Sequence, residues 1–318
     1  MTNIKNIIVA LLCAVPLSVS AQLLRANKQQ KFPKDIPAGN YSGITHIGND
    51  RYAVVSDKTV DGFYIFHIEI DTISGRIQSV ANEGFFSSGQ PSRDQEGIAW
   101  NPHHHTLSIS GENDNQVIEY TVDGQQTGHH LQVPTMFSRL SSNYGLESLC
   151  YDGDAHRYYT ISERPAKGDS ILRLTAFDDN GQMTKQYAYA IDQVPGKRKG
   201  TLLNGVSELC AIGGGRLLVL ERTMRVTPLK IGSYVECRLY IVSPSSAQVL
   251  SKEHLYTFRT RINLFRRNFA NYEGLCVARR LSNGSLILLM IADSQNQHRG
   301  ILRDWLKTLV IHLADTTR

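Results

Sequence analysis

The sequence contains few of the patterns that assign a chain to a well-defined enzyme class. Its five cysteines form no C-x-x-C pair, which excludes the usual zinc-knuckle and thiol redox motifs. No G-x-S-x-G segment occurs, so a serine hydrolase with a nucleophile elbow has no support. The glycine run at Gly213–Gly215 lies between two apolar segments and opens no helix, which excludes a phosphate-binding loop.

The distribution of charged and apolar residues excludes two classes of partner. The chain has 34 Lys and Arg against 29 Asp and Glu, and neither a basic block nor a basic stripe interleaved with aromatics. We therefore expect no nucleic-acid partner. Beyond the N-terminal segment, no apolar run reaches the ~20 residues of a membrane span, so we expect no membrane partner. The sequence carries no signal of the oligomeric state.

The first residues have the layout of a secretory signal. A short polar segment with Lys5 precedes an apolar run over Ile7–Leu17, and small residues follow at Val19-Ser20-Ala21. This pattern predicts a signal peptide over residues 1–21, cleaved after Ala21, and a secreted or periplasmic product. Residues 22–318 are then predicted to form a single domain. A buried N-terminal strand is the alternative interpretation.

Four cysteines remain after the leader, at Cys150, Cys210, Cys237 and Cys276. An exported protein can form disulfides, and an even count permits two. However, Cys150, Cys210 and Cys276 occupy equivalent positions in an internal repeat. We expect these three to be small buried core residues.

The internal repeat is the strongest signal of the fold. Five segments share a polar lead-in, then Ser or Glu, then a small residue, then Ile or Leu; they start at Asn40, Asp94, Tyr144, Gly205 and Asn271. Each continues into an apolar run, a turn rich in Gly, Asn, Asp or Pro, a second apolar run with a polar ending, and a third run. This pattern predicts an all-β protein, a β-propeller of four-stranded antiparallel blades.

The number of blades and the closure of the ring follow less directly. Five repeats are detected, and the lengths of the stretches 178–204 and 223–270 leave room for a sixth, degenerate blade. The last unit lacks an obvious fourth strand before the chain ends. We predict that the stretch around Leu23-Leu24 supplies this strand and closes the ring.

Propeller geometry places the repeated polar residues together. The first strand of each blade lines the channel, and its start lies beside the end of the antiparallel second strand. Two columns of side chains therefore meet at one mouth: Ser42, Glu96, Glu147, Ser207 and Glu273 in the first, and Asp57, Glu112, Glu163, Glu221 and Asp293 in the second. Glu208 falls one residue later than its column, so we expect it to point elsewhere unless a bulge re-aims it. The His103–His105 turn belongs to the opposite face and is expected to be a solvated loop.

Several carboxylates around a narrow mouth cannot all ionise without compensation. Calcium held by Glu96, Glu147, Glu273, Asp57 and Asp293 is one solution. Pairing across blades with Lys or Arg is a second. Protonated carboxyls acting as general acids are a third, for which the candidates are Glu147, Glu163 and Glu221.

The repeat units also resemble a known family. Glu96-Gly97-Ile98-Ala99, Ser207-Glu208-Leu209 with Leu220-Glu221-Arg222, and Asn271-Tyr272-Glu273-Gly274-Leu275 are similar to the phytase-like family, "esterase-like activity of phytase". The resemblance runs from about Tyr41 to Leu313 and implies a secreted bacterial propeller with phosphoesterase or esterase activity. The family tends to have two consecutive acidic residues where this chain has Asp293-Ser294, so a calcium site there would have fewer carboxylate ligands. Residues 299–305 look like a local insertion.

Three functional hypotheses follow. The first is a calcium-assisted hydrolase of a phosphate ester, in which Lys58, Arg164 and Arg222 bind the anionic substrate. The second is a non-catalytic propeller that binds a ligand or a protein at the same mouth. The third is a lactone or carboxylic-ester hydrolase that uses the same metal-bound water.

Overall fold

The computed structural model describes residues 21–140, 145–194, 200–245, 247–262, 268–295 and 302–314. Residues 1–20 of the predicted signal peptide lie outside this part of the chain, so the leader stays a prediction. The strands are β1 Ala21–Ala26, β2 Gln30–Lys31, β3 Tyr41–Gly48, β4 Arg51–Ser56, β5 Gly62–Ile70, β6 Ile77–Ser87, β7 Gln95–Asn101, β8 Thr106–Gly111, β9 Gln116–Thr121, β10 Gln126–His130, β11 Ser148–Asp152, β12 Arg157–Ile161, β13 Leu172–Asp178, β14 Met183–Tyr189, β15 Thr201–Gly213, β16 Arg216–Val226, β17 Tyr234–Val242, β18 Lys252–Arg261, β19 Asn271–Arg280, β20 Ser285–Asp293 and β21 Trp305–Leu313.

These strands form a five-bladed β-propeller. Blade 1 is β3-β4-β5-β6, blade 2 is β7-β8-β9-β10, blade 3 is β11-β12-β13-β14, blade 4 is β15-β16-β17-β18, and blade 5 is β19-β20-β21-β1. The innermost strand of each blade contacts those of the two neighbouring blades, which closes the ring around a channel. The one helical element in the described residues is a short 3₁₀ turn at Thr135–Arg139. No described helix has the length and apolar character needed to cross a bilayer.

The ring closes as the sequence predicts. Strand β1 runs antiparallel to β21, with Leu23 opposite Ile311, and so completes blade 5 from the N-terminal side. Strand β2 adds a short second pairing to β21, with Gln30 opposite Leu306. The two ends of the described chain are thereby joined in one sheet.

The space for a sixth blade is used by an enlarged blade 4. The stretch 178–204 contains β14 and the first residues of β15, whereas 223–270 contains the end of β16 together with β17 and β18. Strands β15 and β16 have 13 and 11 residues, compared with 5 each for their counterparts in blade 3. The five-blade count of the sequence repeat is therefore confirmed.

The core lies between the facing sheets of successive blades. Strand β20 is buried along its whole length, which explains its continuous apolar run from Leu286 to Ile291. Its side chains pack against Tyr41, Tyr52 and Phe66 of blade 1. The burial of both faces of such strands is the main stabilising force of the ring.

The four described cysteines are unpaired and buried, which confirms the expectation for Cys150, Cys210 and Cys276. These three come from β11, β15 and β19 and line a cavity of about 210 Å³ at the turn end of the channel. Burial raises the pKa of each thiol, so the groups stay neutral. His103 lies in an exposed turn at the same end, as expected.

Candidate metal and substrate site at the channel mouth

The starts of the inner strands meet the ends of the second strands at one mouth of the channel. Tyr41 lies opposite Ser56 in blade 1, and Asn271 lies opposite Asp293 in blade 5. The mouth encloses a cavity of about 390 Å³. It is lined by Asn40, Asp57, Lys58, Asp94, Glu96, Glu112, Glu147, Glu163, Leu203, Arg222, Glu273, Asp293 and Gln295. The convergence predicted from the two polar columns is thus present in the structure.

Negative charge dominates this mouth. Its described lining contains eight carboxylates, whereas Lys58 and Arg222 are its two cationic side chains. Such an excess cannot be ionised in a partly buried cavity unless further cations enter or some carboxyls keep their protons. The mouth is therefore suited to binding positive charge.

Arg222 links three blades at this mouth. Its side chain is 6% exposed, and its Nη2 lies 2.7 Å from the Oε1 atom of Glu163 in blade 3. Its Nη1 donates to Glu273 of blade 5, and to the Oδ1 atom of Asn271 at 2.9 Å. Inter-blade pairing of acids with arginine, one of the three solutions expected from the sequence, therefore accounts for two of the eight carboxylates.

Within the described part of the chain, Glu96 has no direct ion pair of this kind, and Lys58 acts on it only through a longer-range electrostatic attraction. Glu96 is 8% exposed, and among the described residues its carboxylate has neither a hydrogen bond nor an ion pair. Burial raises its pKa well above the ordinary value, and the charges of Glu147, Glu273 and Asp57 raise it further. A buried, unpartnered carboxylate that faces an acidic cavity is costly unless it meets a cation or a proton.

The pKa values of two other buried acids of the mouth are also raised. Burial raises the pKa of Glu147, and Glu163, Glu273 and Glu112 add to the effect, while Arg222 opposes it. Burial also raises the pKa of Asp293, with Glu273 as the next cause. These carboxyls therefore keep their protons in the absence of a cation, and they release the protons to solvent when a cation binds beside them.

A compact group of ligand atoms lies on one side of the mouth. Carboxylate oxygens of Asp57, Asp94 and Glu96 lie within 4.8 Å of one another. The Oδ1 atom of Asp57 is buried without a partner, whereas its Oδ2 atom is 2.7 Å from the Nζ of Lys58. Oxygen ligands from carboxylates suit Ca²⁺, which takes six to eight of them. The donor set fits a calcium ion.

The structure brings most of the predicted site residues to this mouth, but not all. Glu96, Glu147, Glu163, Glu273, Asp57, Asp293, Lys58 and Arg222 line it, whereas Glu221 and Arg164 do not. Glu221 is fully buried away from the mouth. It accepts a hydrogen bond from the Tyr189 hydroxyl at 2.7 Å and forms an ion pair with Lys252. The Nε atom of Arg164 lies 3.7 Å from the Oε2 atom of Glu163, and 29% of the arginine side chain is exposed.

Glu208 lies deeper in the channel, where a bulge re-aims it. The register of β15 shifts between Val206 and Glu208, and the side chain reaches the inner strand of the neighbouring blade 3. Its Oε1 atom accepts the backbone N–H groups of Leu149 at 3.2 Å and Leu209 at 2.9 Å. Burial raises the pKa of this carboxyl well above its ordinary value. Glu208 therefore ties blade 3 to blade 4 below the mouth.

Five residues of the lining were assigned no role from the sequence: Asn40, Asp94, Glu112, Leu203 and Gln295. Glu112 stands in the second predicted column and lines the mouth as that column predicts. Asn40 and Asp94 each stand two residues before the Ser/Glu column, with φ of 48° and 58°. Asn and Asp tolerate this left-handed conformation better than most residues. An Asn or Asp two residues before the Ser/Glu column is therefore the sequence pattern that could have predicted both residues at the mouth.

Comparison with known families identifies the chain. Residues 36–295 match the family described as "Phytase-like: Esterase-like activity of phytase". The chain belongs to this family. The match spans all five inner strands and every residue that lines the acidic mouth of this phytase-like chain. The comparison with curated proteins returned no match.

Several solved structures resemble this phytase-like chain at low sequence identity. An endo-arabinase from Bacteroides thetaiotaomicron is 12% identical with a TM-score of 0.47, and the match covers 92% of this chain and 99% of that one. The tail fibre of Staphylococcus aureus phage P68 is 13% identical with a TM-score of 0.44, covering 94% and 53%. Hydrazine synthase of Kuenenia stuttgartiensis is 9% identical with a TM-score of 0.40, covering 84% and 80%. These scores carry no argument about activity.

Asp304, behind the mouth, is expected to make stability fall with rising pH. Burial raises its pKa to about 6, although the nearby Ser294 opposes this shift, and its Oδ1 atom has no hydrogen-bond partner among the described residues. The folded state therefore binds this proton more tightly than the unfolded state, and stability is lost between about pH 4 and pH 6. We expect Asp304→Asn to gain about 1–3 kcal/mol over the parent at pH 8 and almost nothing at pH 4.

Urea unfolding of both proteins at the two pH values measures this difference. The matched control is Asp35→Asn, which makes the same substitution at an exposed aspartate. An equal effect of Asp304→Asn at both pH values would contradict the assignment of the raised pKa to this carboxyl.

Proposed function

We propose that this protein is a calcium-assisted hydrolase of phosphate esters, acting at the acidic mouth of the propeller. The observation that carries the proposal is the buried and unpartnered Glu96 among eight carboxylates, next to the oxygen cluster of Asp57 and Asp94. The lining of the site carries many carboxylates, and a phosphate ester is also negatively charged. A cation must therefore lie between the lining and the ester for the ester to bind. Membership of a family described by esterase-like activity of phytase supports the same reaction class.

The proposed metal ligands are Asp57, Asp94 and Glu96, with Glu147, Glu273 and Asp293 completing the acidic surroundings. When bound, calcium supplies a Lewis acid for a phosphoryl oxygen and lowers the pKa of a bound water. The remaining work falls to side chains of the mouth.

Lys58 is the cation best placed to bind the substrate. Its side chain is 53% exposed, and its Nζ is held 2.7 Å from Asp57 and 3.7 Å from Asp94. Arg222 is instead committed to Glu163 and Glu273, so in this proposal it positions these two acids. Glu147, whose pKa is raised by burial and neighbouring carboxylates, holds the proton that the leaving oxygen needs.

A binding propeller for a cationic molecule is the second candidate. The excess of carboxylates over the cations Lys58 and Arg222 favours it, because a ligand amine would compensate the same charge as a metal. A lactone or carboxylic ester remains an alternative substrate for the metal-bound water.

Calcium removal and return provides the first test. The protein is stripped with chelator and titrated with CaCl₂, and thermal melting is followed. We expect a saturable rise of a few degrees, because a ligand at a hundred times its Kd adds about 2.7 kcal/mol of stability. MgCl₂ serves as the control, since Mg²⁺ is smaller and demands octahedral geometry.

Turnover is then measured on panels of phosphate monoesters, carboxylic esters and lactones, with and without calcium. Calcium-dependent hydrolysis of phosphate esters is the expected result. Hydrolysis of carboxylic esters or lactones alone would move the assignment to the third hypothesis. The absence of any turnover, together with stabilisation by amines instead of calcium, would establish the binding propeller.

A further inference from the structure

The extension of blade 4 forms a wall beside the mouth that the closure of a propeller does not require. Residues Thr201–Asn204 pair with Thr223–Val226 beyond the level at which Gly205 lies opposite Arg222. Strand β17 continues this sheet, with Val235 opposite Met224. The other inner strands begin at the mouth itself, as Gln95 and Ser148 show. The wall is therefore specific to one side of the site.

This wall carries an apolar groove. The groove has a volume of about 200 Å³ and is lined mainly by apolar side chains: Leu203, Met224, Val226, Ile262, Phe269 and Leu302. Thr201, Lys230, Ser233 and Gln295 form its described polar edge. The volume equals the share of about six or seven water molecules in the liquid, which is enough for a short alkyl chain or one aromatic ring.

The groove is continuous with the acidic mouth. Leu203 and Gln295 line both cavities. Along β16, side chains at alternate positions share a face, so Arg222, Met224 and Val226 form one row. This row leads from the ion pairs of the mouth directly into the groove.

The turn beside the groove also exposes apolar residues. Lys230, which lines the groove, lies in the sequence between Leu229 and Ile231, whose side chains are 84% and 55% exposed. These residues belong to the turn that joins β16 to β17.

From this juxtaposition we infer that the substrate is an amphipathic phosphate ester, whose phosphate binds in the mouth and whose alkyl or aryl group occupies the blade 4 groove. The inference rests on the proposed function for the position of the phosphate. It names the substrate class: a phosphate monoester of an apolar alcohol, not a polyphosphorylated polyol. A polyphosphate would place further negative charge against the carboxylates that calcium leaves uncompensated, and it would leave the groove unfilled.

The test measures binding of n-alkylphosphonates with two, four, six and eight carbons to the calcium-loaded protein by titration calorimetry. Each methylene that enters the groove is expected to tighten Kd by two- to fourfold, up to about six carbons, since a fully buried methylene contributes about 0.8 kcal/mol. Hydrolysis of the matching n-alkyl phosphates is measured in parallel.

Two neighbouring leucines give a matched pair of variants. Leu203 faces the groove, whereas Leu202 is 37% exposed and points to the other face of β15. Leu203→Asn is expected to abolish the dependence of Kd on chain length, and Leu202→Asn is expected to retain it. Melting curves establish that both variants are folded.

The outcomes separate this inference from the proposed reaction. Tighter binding with chain length but no hydrolysis supports the groove and overturns the hydrolase. Binding of ethylphosphonate with no gain from longer chains overturns the groove and leaves the hydrolase standing. Failure of every phosphonate to bind overturns both. A chain-length effect that survives in Leu203→Asn also overturns the assignment to this groove.

Discussion

Replacement of Arg222 by methionine is expected to cost about 3–5 kcal/mol of unfolding free energy in calcium-free buffer. The guanidinium is 6% exposed and holds Glu163 and Glu273 from two neighbouring blades. Its removal leaves buried carboxylates without their cation, and breaking one partner of a buried pair is far more costly than losing an exposed one. Urea unfolding at pH 7.5 measures the loss.

The control for this experiment is Arg164→Met. Arg164 follows Glu163 in the chain, but its side chain is 29% exposed and lies 3.7 Å from that carboxylate. We expect its replacement to cost no more than about 1 kcal/mol. Calcium should recover part of the stability lost in Arg222→Met, because the cation compensates the same mouth. A loss below about 1 kcal/mol for Arg222→Met would show that the inter-blade ion pairs do not stabilise the ring.

Glu96→Gln is expected to have two opposite effects on stability. In calcium-free buffer the variant should be about 1–3 kcal/mol more stable than the parent, because it removes the charge of a buried carboxylate that has no partner. In calcium the order should reverse, because the substitution removes one of the three clustered ligand oxygens. Melting curves across a calcium titration, for the parent and the variant, measure both effects.

Glu119 provides a matched control. It is also 8% exposed, but it lies outside the mouth, where Thr106 and Thr127 donate hydrogen bonds to it at 2.9 and 2.8 Å. Glu119→Gln should keep the full calcium response and should not stabilise the calcium-free protein. A Glu96→Gln variant that responds to calcium like the parent would remove Glu96 from the proposed ligand set.

The ring and the location of the site could be predicted from the sequence because both follow from strand geometry. Polar residues at the start of one strand and at the end of its antiparallel neighbour must share an end of the sheet. The fourth strand of blade 5 was predictable for a similar reason, since Leu23-Leu24 was an apolar segment in need of a partner.

Individual side chains were harder to place, because adjacent residues of a strand point to opposite faces. Blades 3 and 4 both carry a Glu-Arg pair at the level of the mouth, just after β12 in blade 3 and within β16 in blade 4. In blade 3 the glutamate, Glu163, enters the mouth, whereas in blade 4 the arginine, Arg222, enters and Glu221 turns into the blade. A shift of one residue along a strand moves a side chain to the opposite face of the sheet. Because the sequence aligned the columns only to within one residue, it could not predict which of the two side chains enters the mouth.

The groove could not be predicted for a different reason. Its walls come from the strand extensions 201–204 and 223–226, which lie in the stretches where the sequence left room for another blade. Strand length beyond the mouth depends on tertiary packing against residues such as Phe269 and Leu302, which are remote in the sequence.

The sheet shared by the two chain ends determines the order in which this protein can fold. Strand β1 is the first strand of the described chain, and its partner β21 is the last. During synthesis, β1 therefore has no partner until β21 has been made. This contact joins strands that are far apart in the sequence, so the entropic cost of closing the intervening loop is met late in folding. Blade 5 is completed only when β21 is available, and the ring becomes one cooperative unit only at that stage.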